Sequence, residues 1–247
     1  VFSQPTEVPV QGLDVSALRK PERHEFQSLT SIDTDKYTYF FFDVFDTAII
    51  RLFEKPVDVF KYIAHTTYAD RFEIARVDRE RLTRQKHNER RDVKLAEIYS
   101  SFLGADLEVE TAAELMFCAA HPETLAFYAD LVAKGKKIYF VSDMYLDRET
   151  VAAILHKNGF QHYEDVFVSS EDDLIKGDGS RFAWLRAQLP DSVGNAIHIG
   201  DNRVSDWVQP RQHGYDALQF LESIEFYRYD DFLFSKVSHL AARDSLG

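Results

Sequence analysis

The sequence predicts an α/β fold, a Rossmann-like parallel sheet with a helical cap inserted after its first strand. Three observations predict it. Runs that read as strands recur at 37–43, 138–142, 166–169, 196–200 and 216–220. Helical segments separate the later runs, and such alternation implies parallel strands joined by right-handed crossovers. The first two runs stand about ninety residues apart, far beyond an ordinary crossover, so something is inserted between them.

Residues 1–35 carry Pro5, Pro9 and Pro21 with scattered charge and no sustained period, and read as an N-terminal arm. The core comprises 36–51 and 135–225. Its first strand is the run Tyr37-Thr38-Tyr39-Phe40-Phe41-Phe42, ending at Asp43. The interval 52–134 is expected to be helical throughout and to form the cap. Pro56 suits the first turn of a helix bearing Val59, Phe60 and Ile63. Residues 72–97 are strongly charged, with Ile74, Val77, Leu82, Val93 and Leu95 spaced along them. Gly104 makes a break, and 112–133 is helical with an interruption at Pro122.

Further on, 147–158 is apolar at Val151, Ile154 and Leu155, and Gly159 suits a left-handed C-terminal cap. Ser180 is expected to cap a helix running to Leu189 and stopped by Pro190. Residues 226–247 form an aromatic tail, opening Phe226-Tyr227-Arg228-Tyr229. Core packing is its plain reading; a docking surface for another domain is the sharper one.

With 247 residues, 45% hydrophobic and 28% charged, the chain suits one large globular domain, or a core with an insert. The net charge of −12 argues against a general binder of nucleic acid or anionic membranes. Cys118 is the single cysteine, so there is no intramolecular disulfide and no Cys-based metal site, as fits a reducing cytoplasm. No apolar stretch is long enough for a transmembrane helix, and the first residues do not read as a signal peptide. The chain opens on Val1 rather than Met, and is expected to be a processed or excised piece of something longer.

Polar residues stand at the ends of several predicted strands. Asp43 closes the first and opens Asp43-Val44-Phe45-Asp46-Thr47. Ser142 closes the second, Lys176 lies in Lys176-Gly177-Asp178-Gly179-Ser180, and Gly200-Asp201 ends the fourth with Asp206 behind it. A carboxylate at the tip of a buried strand is costly unless a metal, a hydrogen-bond cradle or chemistry compensates. Singly these are weak signals: serine ends many strands, and a lone lysine is usually a solvated surface residue. Together they make a catalytic constellation.

In this order and spacing the set resembles the haloacid dehalogenase-like (HAD) hydrolase superfamily. Asp43 and Thr47 match its Asp-x-x-x-Thr motif, Ser142 its strand-ending Ser or Thr, and Lys176 its lysine before a helix. Gly200, Asp201 and Asp206 match its Gly-Asp-x-x-x-x-Asp. The resemblance spans roughly 37–220. It implies that the first strand lies between the second and fourth, so that Asp43 faces Asp201 at the switch point. It implies a Mg²⁺ site built from Asp43, Asp201 and the backbone carbonyl of Phe45, an oxygen-rich set suited to that ion. It also implies that Asp43 is the nucleophile, that Thr47 hydrogen-bonds within its motif, and that Ser142 and Lys176 hold the transferred group. Asp206 orients Lys176 or a metal-bound water. The long insert corresponds to a helical cap, from which an arginine such as Arg76 reaches an anionic substrate.

One departure stands out. HAD phosphatases carry a second Asp two residues after the nucleophile, where it protonates the leaving group. Here Phe45 takes that place and Asp46 comes one residue late. The expected activity is therefore hydrolysis or transfer of a phosphoryl group on a small phosphorylated metabolite, without the usual general acid. Alternatives are dehalogenase-type chemistry and a catalytically weak scaffold used for binding or assembly. Phe41-Phe42-Asp43-Val44-Phe45-Asp46-Thr47 and Val141-Ser142-Asp143-Met144-Tyr145-Leu146 look most like HAD-like domains encoded with bacterial surface-polysaccharide genes. That likeness implies a cytoplasmic bacterial protein, a sugar phosphate or nucleotide-linked substrate, and a fused or associated glycosyltransferase. The nine histidines show no metal-ligand spacing, and His198 reads as a satisfied core residue.

Overall fold

The computed structural model describes residues 28–53, 55–67, 71–100 and 106–220. Most of the expected arm, Gly104 and the aromatic tail lie outside these residues. Strand β1 (Tyr39–Asp43) leads through a tight turn into a short strand, β2 (Ile49–Arg51). Helices α1 (Asp58–Thr67), α2 (Phe72–Lys86), α3 (Leu95–Tyr99) and α4 (Leu107–Phe117) follow. Strand β3 (Cys118–Ala120) then pairs antiparallel with β2, Arg51 opposite Cys118. Beyond it the chain alternates regularly through α5 (Pro122–Ala133), β4 (Lys137–Ser142), α6 (Arg148–Lys157) and β5 (Asp165–Val168). Helices α7 (Ser169–Asp172) and α8 (Ser180–Gln188) precede β6 (Ala196–Gly200). A π-helical turn (Arg203–Val208), α9 (Gln209–Gln212) and β7 (Asp216–Gln219) complete the described chain.

The main sheet has the order β5-β4-β1-β6-β7, with every pairing parallel. All five residues of β1 are buried, which explains a run of aromatics without alternation: helices cover both faces. Phe40 and Phe42 face Phe127 of α5, ring centroids 6.1 and 6.3 Å away. Tyr39 and Phe41 face the other layer, where Phe41 stacks on Tyr139 at 5.2 Å and meets Tyr215 edge-on at 5.6 Å. Truncating one such ring to Ala typically costs about 3–5 kcal/mol. This packing fixes β1 centrally, and parallel pairing then brings Asp43, Ser142 and Gly200 to one edge of the sheet.

The insert is not helical throughout. Ile49–Arg51 and Cys118–Ala120 form a two-stranded ribbon at its base. The charged stretch from Phe72 ends its first helix at Lys86 and resumes helical structure only at Leu95. Pro122 does not interrupt a helix; it starts α5, where its missing N–H costs nothing. That helix, expected within the cap, packs on the sheet through Phe127 and through Tyr128, 5.0 Å from Phe160. Gly179, not Ser180, caps α8 with φ 80°, while the Ser180 hydroxyl accepts the Ile175 N–H at 3.1 Å.

Candidate active site

The turn after β1 is built on backbone hydrogen bonds. Val44 O accepts from Ala48 and Ile49, and Asp46 N donates to Ile49 O at 2.7 Å. Asp46 has φ 58°, a left-handed conformation that Asp tolerates better than most residues with a Cβ. Its late position relative to the expected second acid thus has a backbone reason. Thr47 Oγ1 donates to Asp43 Oδ2 at 3.4 Å, and its carbonyl accepts Thr124 Oγ1 at 2.7 Å.

Lys176 arrives from the loop between α7 and α8. Asp143 pins that loop by accepting the Lys176 N–H on both oxygens, at 3.0 and 2.9 Å. Buried Arg181 holds its other side, donating to Asp172 at 2.8 and 2.6 Å. So positioned, the lysine ammonium lies between Asp43 Oδ1, in a short contact, and Asp206 Oδ1 at 2.7 Å. Burial opposes its charge, but Asp206 and Asp43 outweigh that and raise its pKa.

Asp206 is fully buried on the π-helical turn. Besides Lys176 it meets His198 Nε2 at 2.8 Å and accepts the Asn202 N–H at 3.0 Å. Burial would push its carboxyl up; Lys176 and His198 instead hold it at about 2. The turn comes so close to β6 that a Cβ on Gly200 would lie 2.4 Å from Asp206 Cγ. Asp43 has the opposite balance. Burial pushes its carboxyl well above the ordinary range, Lys176 pulls it down, and Asp206 and Asp201 push it up again.

Asp43, Asp201 and Asp206 each offer an oxygen, all within 4.8 Å of one another. Three carboxylates against one lysine leave an excess of negative charge that a divalent cation fits, and an all-oxygen donor set suits Mg²⁺. Asp43 and Asp206 share Lys176, and Asp201 brings a third carboxylate to the same place. Among the described residues the Phe45 carbonyl accepts no hydrogen bond.

Asp43, Lys176, Asp201 and Asp206 therefore converge. Thr47 touches Asp43, and buried Ser142 lies one residue beyond Val141, the partner of Asp43 across the sheet. Arg76 does not join them as expected. It is fully buried within the insert, its Nε and Nη2 donating to Glu110 at 2.6 and 2.8 Å and its Nη1 to Glu80 at 3.1 Å. Phe60 and Tyr145 flank it, 4.7 and 4.8 Å from its guanidinium carbon. Arg76 ties the insert's helices together. Sequence reasoning missed Asp143, Arg51 and the role of His198, whose Nδ1 is buried without a partner. A histidine in an otherwise apolar strand, two residues before Gly200, was the available signal for the last.

No protein-family model matches the chain, and no curated protein does. Solved structures do. A HAD family enzyme from Bacteroides thetaiotaomicron aligns with a TM-score of 0.53 and 16% identity, over 74% of this chain and 93% of its own. Its wild-type complex with magnesium and inorganic phosphate aligns over the same shares with a TM-score of 0.52 and 16% identity. The HAD-hydrolase YfnB from Bacillus subtilis, bound to magnesium, gives 0.50 and 16% over 73% and 85%. No helix among the described residues is long and apolar enough to cross a membrane. The central sheet with its flanking helices has the fold of the HAD-family hydrolases.

Proposed function

We propose that the chain is a Mg²⁺-dependent HAD-superfamily hydrolase acting on a small phosphorylated metabolite through Asp43. The observation carrying this reading is one buried lysine shared by Asp43 and Asp206, with Asp201 beside them. Asp43 and Asp201 would hold the ion with the Phe45 carbonyl; bound there, it would offset charge on the substrate and keep Asp43 ionised. Asp43 attacks phosphorus to form an acyl phosphate that water then resolves. Lys176 stabilises the charge on the transferred group, and Asp206 orients Lys176. Ser142 and Thr47 line the phosphoryl position.

The motif wording at 41–47 and 141–146 supports a sugar phosphate or nucleotide-linked substrate in a bacterial cytoplasm, with a glycosyltransferase as fused or associated partner. Phe45 supports good leaving groups, because a positioned general acid typically contributes about 10²–10⁴-fold. The test is a screen of phosphorylated sugars, nucleotides and nitrophenyl phosphate with and without Mg²⁺. Turnover of activated phosphates that needs Mg²⁺ and vanishes in Asp43→Asn is expected. Inactivity on every phosphate with Mg²⁺ bound would favour a binding scaffold instead.

A further inference from the structure

Arg51 ends β2, and its side chain is only 7% exposed. Its guanidinium carbon lies 4.0 Å from the centre of the Phe45 ring. Its Nε donates to Glu114 of α4, at 3.1 and 3.4 Å to the two carboxylate oxygens. Among the described residues neither terminal amino group, Nη1 or Nη2, donates a hydrogen bond. Arg76, fully buried, has all three nitrogens matched. The planar fork of a guanidinium suits a carboxylate or phosphate. Phe45 stands two residues after Asp43, so the guanidinium lies over the turn that begins there.

We propose that Arg51, seated on Phe45, binds the anionic leaving group of the substrate, which is a phosphoric anhydride or acyl phosphate. This rests on the phosphoryl-transfer reading above. Lys176 already serves the transferred group at Asp43, so Arg51 has a different anion to meet. A guanidinium does not give up its proton at working pH, so Arg51 supplies charge and no acid. An oxygen of Asp43 bonds to phosphorus while the bond to the bridging oxygen breaks. The bridging oxygen keeps the electron pair and departs as phosphate or carboxylate against Arg51, with no proton required. Water then attacks phosphorus, the bond to Asp43 breaks, and both water protons leave with inorganic phosphate. An alkoxide leaving group gains nothing comparable.

The test is calorimetric titration of the full chain, saturated with Mg²⁺, with three phosphonates. Methylenediphosphonate mimics the anhydride, phosphonoacetate the acyl phosphate, and methylphosphonate has no second anion. The wild type should bind one of the first two about 10–100-fold more tightly than methylphosphonate, and which one names the leaving group. Arg51→Met should erase that preference while leaving methylphosphonate affinity within about twofold. Glu114→Gln, which frees Arg51 of its acid, should widen the preference, and serves should Arg51→Met fail to fold. Equal binding of all three by the wild type, or an unchanged preference in Glu114→Gln, would overturn the proposal. So would an Arg51→Met loss shared by methylphosphonate. The preference without turnover of any anhydride or acyl phosphate would sink the phosphoryl-transfer reading and leave the anion subsite standing.

Discussion

His198 reaches Asp206 Oδ1 from the middle of β6 at 2.8 Å, on the oxygen that Lys176 holds at 2.7 Å. Burial lowers the imidazole's pKa, so the ring is neutral and Nε2 is the N–H donor. His198→Phe removes a hydrogen bond to an ionised acceptor and should cost about 1.5–3 kcal/mol in urea unfolding. His198→Gln, which keeps a donor, should recover part of it. Equal losses in both variants would show that ring volume, not the hydrogen bond, matters at this position.

Gly200 should resist its smallest replacement. In Gly200→Ala the new methyl group meets Asp206 Cγ at 2.4 Å, and Asp206 cannot give way without releasing Lys176. A loss of about 1–3 kcal/mol is expected, as for other overpacked sites. Turnover should fall further than stability alone predicts. Urea unfolding and initial rates on one preparation measure both.

Asp43 and Asp206 should act oppositely on stability as pH changes. With its pKa held at about 2, Asp206 contributes stability fully present above the unfolded carboxylate value, about 3.9, and lost as pH falls through 2. Asp43 is raised, so the folded chain holds its proton longer and stability is lost as pH rises above about 3.9 towards that raised value. In EDTA, Asp43→Asn should therefore melt above the wild type at pH 8, by a margin that shrinks on acidification. Thermal melts across pH 5–8, roughly, would reveal the trend.

Mg²⁺ should reverse that ranking. An ion bound only by the folded chain stabilises it by about 2.7 kcal/mol at a hundredfold excess over Kd. Wild-type melting should rise with millimolar Mg²⁺, and Asp201→Ala should abolish the rise. Flat melting curves in both would remove the metal from the proposed function.

Two neighbouring residues that join the insert to the core should differ sharply. Buried Asp92 accepts Arg84 Nη1 at 2.7 Å, the Val93 N–H at 2.8 Å and, in a short contact, the Ser169 hydroxyl. Arg91, about half exposed, pairs with Asp178 and Asp173. Asp92→Ala should cost about 3 kcal/mol, and Arg91→Ala less than about 1 kcal/mol. Hydrogen exchange across residues 87–99 should accelerate in the first and barely change in the second.

The five core strands were legible because aromatic and β-branched runs bounded by polar residues have few other uses; each lies within two residues of its expected limits. Their order came from the motif resemblance, and β1 does lie between β4 and β6. The ribbon was not legible, since Ile49-Ile50-Arg51 and Cys118-Ala119-Ala120 are too short to display a period of two. Arg76 looked available because its partner Glu110 is 34 residues away, and charge pairing over that distance leaves no local pattern. Arg51 escaped notice for the converse reason: its significance is a contact with Phe45, not a motif. The π-helical turn that carries Asp206 has no signature beyond the motif spacing itself.

Because Arg51 stands directly opposite Cys118 in the ribbon, the chain leaves the core and returns to it at a single point. The two ends of the insert are thus adjacent in the backbone. An Asn-Gly pair could join Arg51 to Cys118 as a two-residue hairpin. The resulting miniature would keep all five strands of the sheet and its polar edge while baring the apolar residues that α1 and α4 now cover.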